Sequence, residues 1–177
     1  MRRLLWQALR RPVTVPRPAA SESALAELAQ SVDLAAKRRL GRSLSIRQVD
    51  AGSCNGCELE IHALNNAVYD LERYGIRFVA SPRHADVLLV TGPVTTAMRE
   101  ALERTWTATP EPKWVVAVGD CAAGGGLFAD SYAVAGGVAD VVPVDLHIGG
   151  CPPSPTQLLR GLLALLEATP DNVRTRE

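Results

Sequence analysis

The sequence has no excess of charge of either sign, since its 177 residues contain 19 lysine and arginine residues and 19 aspartate and glutamate residues. Only the amino terminus is clearly basic, so the chain lacks the electrostatic footprint of a nucleic-acid-binding protein. It also lacks a long hydrophobic run, because no apolar stretch approaches the ~18 residues that cross a bilayer. We therefore expect neither nucleic acid as a partner nor a membrane-spanning helix.

The beginning of the chain does not have the features of a secretory signal peptide. The segment MRRLLWQALRRPVTVPRP has basic ends, but its apolar centre is short, Gln7 interrupts it, and no small-residue cleavage site follows cleanly. A reducing cytoplasm is therefore the expected environment. Because disulfides are rare there, the four cysteines of the chain point to metal or redox chemistry rather than to a disulfide framework.

The first 42 residues predict an N-terminal extension. Within residues 1–12, arginines enclose four large apolar residues, Leu4, Leu5, Trp6 and Leu9, a pattern typical of an amphipathic anchor, and prolines follow as a linker. The alternative is a tail without regular structure. A helix is predicted from Ser21, because serine can cap its start and apolar residues recur on one face until Gly41. We expect an extension at residues 1–42 and a folded domain at residues 43–177.

Strand-like and helix-like segments alternate after Gly41. Five apolar segments predict strands: SLSIRQVD, IRFVA, ADVLLVTG, KWVVAVGD and DVVPVD. Helices are predicted after Cys57 through Leu71, from about Thr95 to Thr107, and from near Pro155. This alternation is typical of an α/β fold with a mostly parallel sheet and helices on both faces. We expect a doubly wound, flavodoxin-like architecture.

All four cysteines lie just beyond the predicted carboxyl ends of strands. Cys54 and Cys57 follow the first strand, Cys121 follows KWVVAVGD, and Cys151 follows DVVPVDLHIGG. In an open parallel sheet these ends meet at one crevice, where such folds bind ligands. Each cysteine also lies in a glycine-rich turn, whose backbone N–H groups can approach a bound anion closely. The sequence therefore predicts one site built from four thiols.

Three other interpretations of the cysteines are weaker. Structural zinc usually supports a small fold without a core and uses two Cys-x-x-Cys pairs, whereas this chain has one such pair and its own core. A thioredoxin-like dithiol would use Cys54 and Cys57 and leave the other two cysteines without a role. A dinucleotide site requires Gly-x-Gly-x-x-Gly after the first strand, and AGSCNGCE does not contain it. Number and placement favour an iron–sulfur cluster.

Four motifs of the chain resemble those of a known protein family. They are GSCNGCELEIHALNN, ADVLLVTGPVT, VVAVGDCAAGGGLF and VDLHIGGCPPSPTQLLRGLLALL, and the resemblance covers residues 43–166. These motifs are similar to the small subunit of membrane-bound, complex-I-related nickel-iron hydrogenases of the formate hydrogenlyase type. They resemble, more distantly, the 20 kDa iron–sulfur subunit of respiratory complex I. The resemblance implies that one 4Fe-4S cluster is ligated by Cys54, Cys57, Cys121 and Cys151.

Two departures from these relatives refine the expectation. The complex I subunit has two adjacent cysteines where this chain has a spaced pair, Cys54 and Cys57, and the spaced pair is the hydrogenase form. Periplasmic-type hydrogenase small subunits continue into a segment that holds further clusters, whereas no cysteine follows Cys151 in this chain. We therefore expect one cluster of the proximal type, and a chain that relays electrons without being a complete enzyme.

The resemblance also implies the partners of such a relay. They are a nickel-iron-hydrogenase-like large subunit, which is catalytic, a ferredoxin-like iron–sulfur subunit, and integral membrane subunits that translocate protons. The chain would be peripheral, at the cytoplasmic face of the inner membrane, and held by partner subunits. Residues 1–12 would dock on the membrane subunits or contact anionic lipid. Oxidoreductase activity would belong to the complex and not to this chain alone.

Glu60 is the candidate for coupling proton movement to electron movement. It lies three residues after Cys57, so both side chains share one face of a helix, and a carboxylate near an anionic cluster should have a raised proton affinity. The alternative is that Glu60 complements the helix start or pairs with an arginine of the partner. We expect ordinary surface, capping or loop-forming roles for five other polar residues: His62, His84, His147, Asp50 and Asp120.

Two alternative functions stay open from the sequence. The same relay would also serve a complex-I-like complex whose large subunit lacks nickel and reduces a quinone or another carrier, because the residues that hold nickel would lie on the large subunit. A structural module that holds zinc with its four thiolates belongs to a different class. Metal content distinguishes the zinc module from both relays, and the composition of the large subunit distinguishes the relays from each other.

Overall fold

The structure is a computed structural model, and it describes residues 22–168. A five-stranded parallel sheet lies at its centre. The strands of this sheet are β1 Ser45–Asp50, β2 Arg77–Phe78, β3 Val87–Thr91, β5 Trp114–Val118 and β7 Leu146–Ile148. Two further strands, β4 Val94–Thr95 and β6 Val134–Gly136, form a separate antiparallel pair.

The order of the strands in the large sheet is β2-β1-β3-β5-β7. Counted along the chain, this is the order of flavodoxin-like sheets. Every residue of β3 and β5 is buried, as expected for central strands that are covered on both faces. The predicted doubly wound α/β fold is therefore confirmed. The winding of the chain reverses between β1 and β3, which is where sheets of this order bind their ligands.

Helices cover both faces of the sheet. The α-helices that the structure describes are α1 Glu22–Leu40, α2 Gly56–Ala63, α3 Arg99–Ala108, α4 Asp120–Gly124 and α5 Pro155–Glu167, and short 3-10 helices lie at Leu71–Tyr74, Pro82–His84, Gly126–Phe128 and Val138–Asp140. Apolar residues of α1, α2 and α5 form a core with one face of the sheet. Residues of α3 and α4 form a second core with the other face.

The last helix begins where the sequence predicts. The hydroxyl of Ser154 accepts a hydrogen bond from the N–H of Gln157 at 3.4 Å, and the side chain of Gln157 accepts one from the N–H of Ser154 at 2.8 Å. Pro155 starts the first turn, where no N–H is needed. At the other end, Arg39 of α1 donates to the carbonyl of Ala168 at 2.8 Å. This contact ties α1 to the end of α5.

The helix after the first cysteine pair is shorter than predicted. Apolar spacing predicted one helix through Leu71, and this is wrong, because α2 ends at Ala63. The side chain of Asn66 accepts hydrogen bonds from the N–H groups of Val68 at 2.8 Å and Tyr69 at 3.0 Å, which stabilises a turn in place of a helix. As a result Val68, predicted on the apolar face, is 56% exposed.

The prediction of a strand at DVVPVD, residues 140–145, is wrong. The structure has a 3-10 helix at the start of this segment, and β7 begins only after it. Pro143 has no N–H for a strand ladder. Asp145 makes the first contact with β5, since its Oδ2 accepts from the N–H of Val115 at 2.7 Å and its own N–H donates to Val115 O at 2.9 Å. Pairing therefore starts at this aspartate and continues through β7.

The helix predicted from about Thr95 begins at Arg99 instead, because Val94 and Thr95 pair with β6. No helix in the described part of the chain is long and apolar enough to cross a bilayer. The amphipathic anchor predicted at residues 1–12 lies outside the described residues. The division of the chain at residue 42 stays a prediction.

Candidate functional site

The four cysteines lie in three turns at the carboxyl edge of the sheet. The first turn, after β1, carries Cys54 and Cys57; the second, after β5, carries Cys121 in α4; the third, after β7, carries Cys151. All four are free thiols. Cys54 and Cys151 are exposed, whereas Cys57 and Cys121 are half-buried. The structure thus places the cysteines at the edge of the sheet that the sequence predicts.

The three turns contact one another around Gly119, the last residue before α4. A Cβ atom on Gly119 would lie 2.6 Å from the Sγ of Cys57 and 3.4 Å from the carbonyl oxygen of Gly150. Its φ of +89° also favours glycine. A Cβ atom on Gly56 would lie 3.9 Å from the Cβ of Pro152, so the first turn also contacts the third. The three cysteine turns therefore pack directly against one another, and there is no space between them for a side chain at Gly119.

Hydrogen bonds join the second turn to the third. The N–H of Gly119 donates to Ile148 O at 2.8 Å, and the N–H of Asp120 donates to Gly150 O at 2.9 Å. The N–H of Gly150 donates back to Oδ1 of Asp120 at 2.8 Å, and Nε2 of His147 lies 3.0 Å from Gly119 O. Because a carbonyl oxygen only accepts, this ring nitrogen carries the proton in that contact. Asp120 has the loop-forming role expected from the sequence.

The thiols lie close enough to influence one another electrostatically. The pKa of Cys57 is raised to about 12, mainly by burial, with smaller contributions from Glu58 and then from the other three cysteines. Burial also raises the pKa of Cys121, followed by the effect of Cys151, while a hydrogen bond from the backbone of Leu127 lowers it. Several thiolates without a cation would repel each other here, so ligation of iron would release protons and relieve this repulsion.

Four thiols form a donor set suited to soft metal ions and to iron–sulfur clusters. Within residues 22–168, no three cysteine, histidine, aspartate or glutamate side chains are close enough together to hold one metal ion. A cluster with four irons takes one thiolate on each iron, so its ligands stand further apart than those of a single ion. Three contacting turns that carry four separate thiols are compatible with such a group.

A buried carboxylate that the sequence analysis missed lies beside the cysteine site. Glu58, directly after Cys57, is only 4% exposed, and neither of its carboxylate oxygens has a hydrogen-bond partner in the described structure. Glu60, the residue singled out from the sequence, is half-buried in the same helix α2. Its position directly after Cys57 was the available signal for Glu58, but spacing alone did not show which way its side chain points.

The remaining polar residues singled out from the sequence have local roles. Oδ1 of Asp50 accepts hydrogen bonds from the N–H groups of Gly52 at 2.8 Å and Ser53 at 2.9 Å, which shapes the turn before Cys54. His62 and His84 are exposed. The loop-forming role expected for Asp50 is therefore confirmed.

An exposed apolar surface lies next to Cys121. The segment after α4 presents Leu127, which is 93% exposed, Phe128, which is 44% exposed, and Tyr132, which is 99% exposed. The backbone of Leu127 is hydrogen-bonded to Cys121, so this surface, called here the Leu127 surface, borders the cysteine site. The sequence analysis did not single it out, because a few apolar residues in a loop have no periodicity.

Comparison with known sequences identifies related proteins. Residues 54–165, more than half of the chain, match the family described as NADH ubiquinone oxidoreductase, 20 Kd subunit. The chain is 44% identical over 156 residues to formate hydrogenlyase subunit 7 of Escherichia coli (strain K12), which covers 86% of this chain and 60% of that protein. It is 45% identical over 128 residues to the probable membrane-bound hydrogenase subunit mbhJ of Pyrococcus furiosus, which covers 72% of this chain and 77% of that protein.

A solved structure agrees with these sequence matches. The chain is similar, with a TM-score of 0.64 and 36% sequence identity, to a chain of the membrane-bound sulfane sulfur reductase, an archaeal respiratory membrane complex. The similarity covers 78% of this chain and 74% of that one. The chain spans less than two thirds of the length of the Escherichia coli relative. The resemblance stated from the motifs is thus confirmed, and this chain belongs to the family of the NADH ubiquinone oxidoreductase 20 Kd subunit.

Proposed function

We propose that Cys54, Cys57, Cys121 and Cys151 hold one 4Fe-4S cluster and that the chain is an electron-relay subunit of a membrane-associated hydrogenase complex. The observation that carries this proposal is the contact of the three cysteine turns around Gly119 at the carboxyl edge of the sheet. That edge is where sheets of this order bind ligands. When bound, the cluster would supply one-electron transfer.

The protein around the thiols has the properties that a cluster site requires. Glycine-rich turns let the backbone approach, and hydrogen bonds to the sulfurs tune such sites; the backbone hydrogen bond from Leu127 to Cys121 is one of these. Partial burial of Cys57 limits the access of water to one side of the site. Exposure of Cys54 and Cys151 leaves another side open, where a partner subunit would cover them.

Partner subunits are the second part of the proposal. One relative is named as a subunit of formate hydrogenlyase and another as a probable subunit of a membrane-bound hydrogenase. By this similarity, the partners are a nickel-iron-hydrogenase-like large subunit, a ferredoxin-like iron–sulfur subunit and membrane subunits that translocate protons. The large subunit would bind the Leu127 surface, and residues 1–12 would contact the membrane subunits or lipid. The chain would then be peripheral at the cytoplasmic face of the inner membrane.

A second candidate function is the same relay in a complex without nickel, which reduces a quinone or another carrier. One observation favours it: a related solved structure is described as a membrane-bound sulfane sulfur reductase, an archaeal respiratory membrane complex. The large subunit that co-purifies with this chain decides between the two. Nickel and two Cys-x-x-Cys pairs in that subunit would support the hydrogenase, and the absence of both would support the second candidate.

Metal analysis tests the cluster itself. Protein purified with its complex under anaerobic conditions, then separated to the full-length chain, is expected to contain about four iron and four acid-labile sulfide per chain. The iron–thiolate bonds should give the chain a brown colour and broad visible absorbance. One zinc per chain with no iron would overturn the proposal and support the structural zinc module.

Glu60 is proposed to couple proton movement to electron transfer. It is half-buried in α2, one helical turn beyond Cys57. We expect Glu60→Gln to slow turnover of the complex by about tenfold or more, while iron and sulfide content stay unchanged. Glu72→Gln, at an exposed position of the 3-10 helix after α2, is the control and should turn over at the normal rate. Unchanged turnover in Glu60→Gln would reject this role.

A further inference from the structure

The turns that carry Cys121 and Cys151 are joined by one side chain as well as by backbone. The N–H of Asp120 donates to Gly150 O at 2.9 Å, and the carboxylate of Asp120 accepts the N–H of Gly150 at 2.8 Å. Asp120 directly precedes Cys121, and Gly150 directly precedes Cys151. A reciprocal pair of hydrogen bonds therefore connects the residues next to two of the cysteines.

We propose that Asp120 is a positioning residue that holds the Cys121 and Cys151 turns at the separation a bound cluster requires. The inference rests on the proposed function, because it assumes that these cysteines are ligands. Asp120 does not itself contact the cluster in this proposal. It acts through the backbone of the third turn.

The surroundings of Asp120 explain why this contact needs a side chain. Strand β7 ends at Ile148, and Gly149 and Gly150 follow; Gly150 has a φ of +136°. Beyond the strand, the chain departs from ladder geometry, so a backbone acceptor no longer meets the N–H of Gly150. The carboxylate supplies one. Hydrogen bonds to a charged acceptor are about twice as strong as neutral ones.

His147 adds a second link in the same place. Its Nε2 donates to the carbonyl of Gly119 at 3.0 Å, and Gly119 is the residue against which the Sγ of Cys57 packs. The side chains of Asp120 and His147 therefore both link the segment between β5 and Cys121 to β7 or to the turn that follows it. This predicts that loss of either side chain loosens the same turn.

The opposite end of the same two strands offers a matched control. Asp145 exchanges an equivalent pair of hydrogen bonds with Val115, at 2.7 Å through its carboxylate and 2.9 Å through its N–H. It links β5 to β7 at their amino ends, whereas Asp120 links them at their carboxyl ends. Removing either carboxylate weakens the pairing of β5 with β7, but only Asp120 lies next to cysteines.

The test compares variants of the full-length, cluster-loaded chain. We expect Asp120→Ala to lose iron to a chelator about tenfold faster than the unmodified chain, because one hydrogen bond to a charged group is removed, and to broaden the electron paramagnetic resonance signal of the reduced cluster. Asp120→Asn keeps an oxygen acceptor and should rescue the rate to within about twofold. Asp145→Ala should lower the melting temperature but leave the iron-loss rate within about twofold.

His147→Phe keeps the proposal testable if Asp120→Ala does not fold, because it keeps an aromatic ring but removes the nitrogen that donates to Gly119 O, and it should speed iron loss severalfold. Wild-type iron-loss rates in both Asp120→Ala and His147→Phe would overturn the inference while leaving the proposed function intact. Equal acceleration by Asp145→Ala would also overturn it, since general loosening of the sheet would then be the cause. An unmodified chain that holds no iron would overturn both the inference and the proposed function.

Discussion

Replacing Cys121 with serine is expected to leave the chain with little bound iron. Cys121 lies in the first turn of α4, half-buried, between the turns that carry the other three thiols. Serine preserves the size of the side chain, but its hydroxyl is a harder ligand and gives up its proton far less readily than a thiol. Iron per chain should fall at least about tenfold, and the visible absorbance of the iron–thiolate bonds should fall with it.

A serine in the segment between β2 and β3 provides the control. Ser81 precedes β3, and its hydroxyl accepts a hydrogen bond from the N–H of Arg83. Ser81→Ala removes a hydroxyl group at a position outside the three cysteine turns, so normal iron content is expected. If Cys121→Ser retains as much iron as the unmodified chain, Cys121 is not a ligand, and the assignment of one cluster to all four cysteines is wrong.

The position of the cysteines could be predicted because two regularities coincide. Strands β1, β3 and β5 are apolar segments with clear boundaries, and β3 and β5 are buried throughout. In a parallel sheet the residues after such strands converge on one edge. The cysteines after β1 and β5 are therefore placed by the strand pattern alone, and no contact between distant residues had to be known.

The third turn shows where this reasoning reaches its limit. The strand before Cys151 was predicted at residues 140–145, but the strand is Leu146–Ile148. The valines around Pro143 have the composition of a strand, and the determining contact is the hydrogen bonding of Asp145 to Val115, a residue 30 positions away. Cys151 still falls at the correct edge, because the displaced strand runs in the same direction.

The length of α2 and the small pair of β4 with β6 have similar causes. Leu64 and Leu71 are both fully buried, so their helical spacing is real, but the side chain of Asn66 turns the chain between them. Apolar spacing does not distinguish one helix from two short segments on either side of a turn. Strands of two or three residues, such as β4 and β6, are too short to have a period at all.

The choice between Glu58 and Glu60 also required coordinates. Both carboxylates lie within one turn of Cys57, and their sequence neighbours are equally apolar. The direction of each side chain depends on where α2 begins and on how Ile61 packs against the sheet. The structure buries Glu58 and leaves Glu60 half-buried, which separates a carboxylate held inside the chain from one that a partner subunit can reach.

Charging the Leu127 surface is expected to release the chain from the large subunit proposed above as its partner. Leu127 and Tyr132 are almost fully exposed, and the backbone of Leu127 is hydrogen-bonded to Cys121. Tyrosine is enriched among the residues that contribute most to binding at protein interfaces. An electron donor or acceptor must also lie close to the cluster, because electron transfer falls steeply with distance. Leu127→Asp with Tyr132→Asp should weaken association by at least about 100-fold.

Co-purification with a tagged large subunit measures this effect. Iron content should stay normal in the double variant, because the backbone of Leu127, and not its side chain, is hydrogen-bonded to Cys121. Leu34→Asp, on the exposed side of α1 where leucine is 53% exposed, introduces a charge away from the cysteine turns and should co-purify normally. Normal co-purification of the double variant would show that the large subunit binds elsewhere. Loss of iron together with the large subunit would instead assign the apolar loop to shaping the cluster site itself.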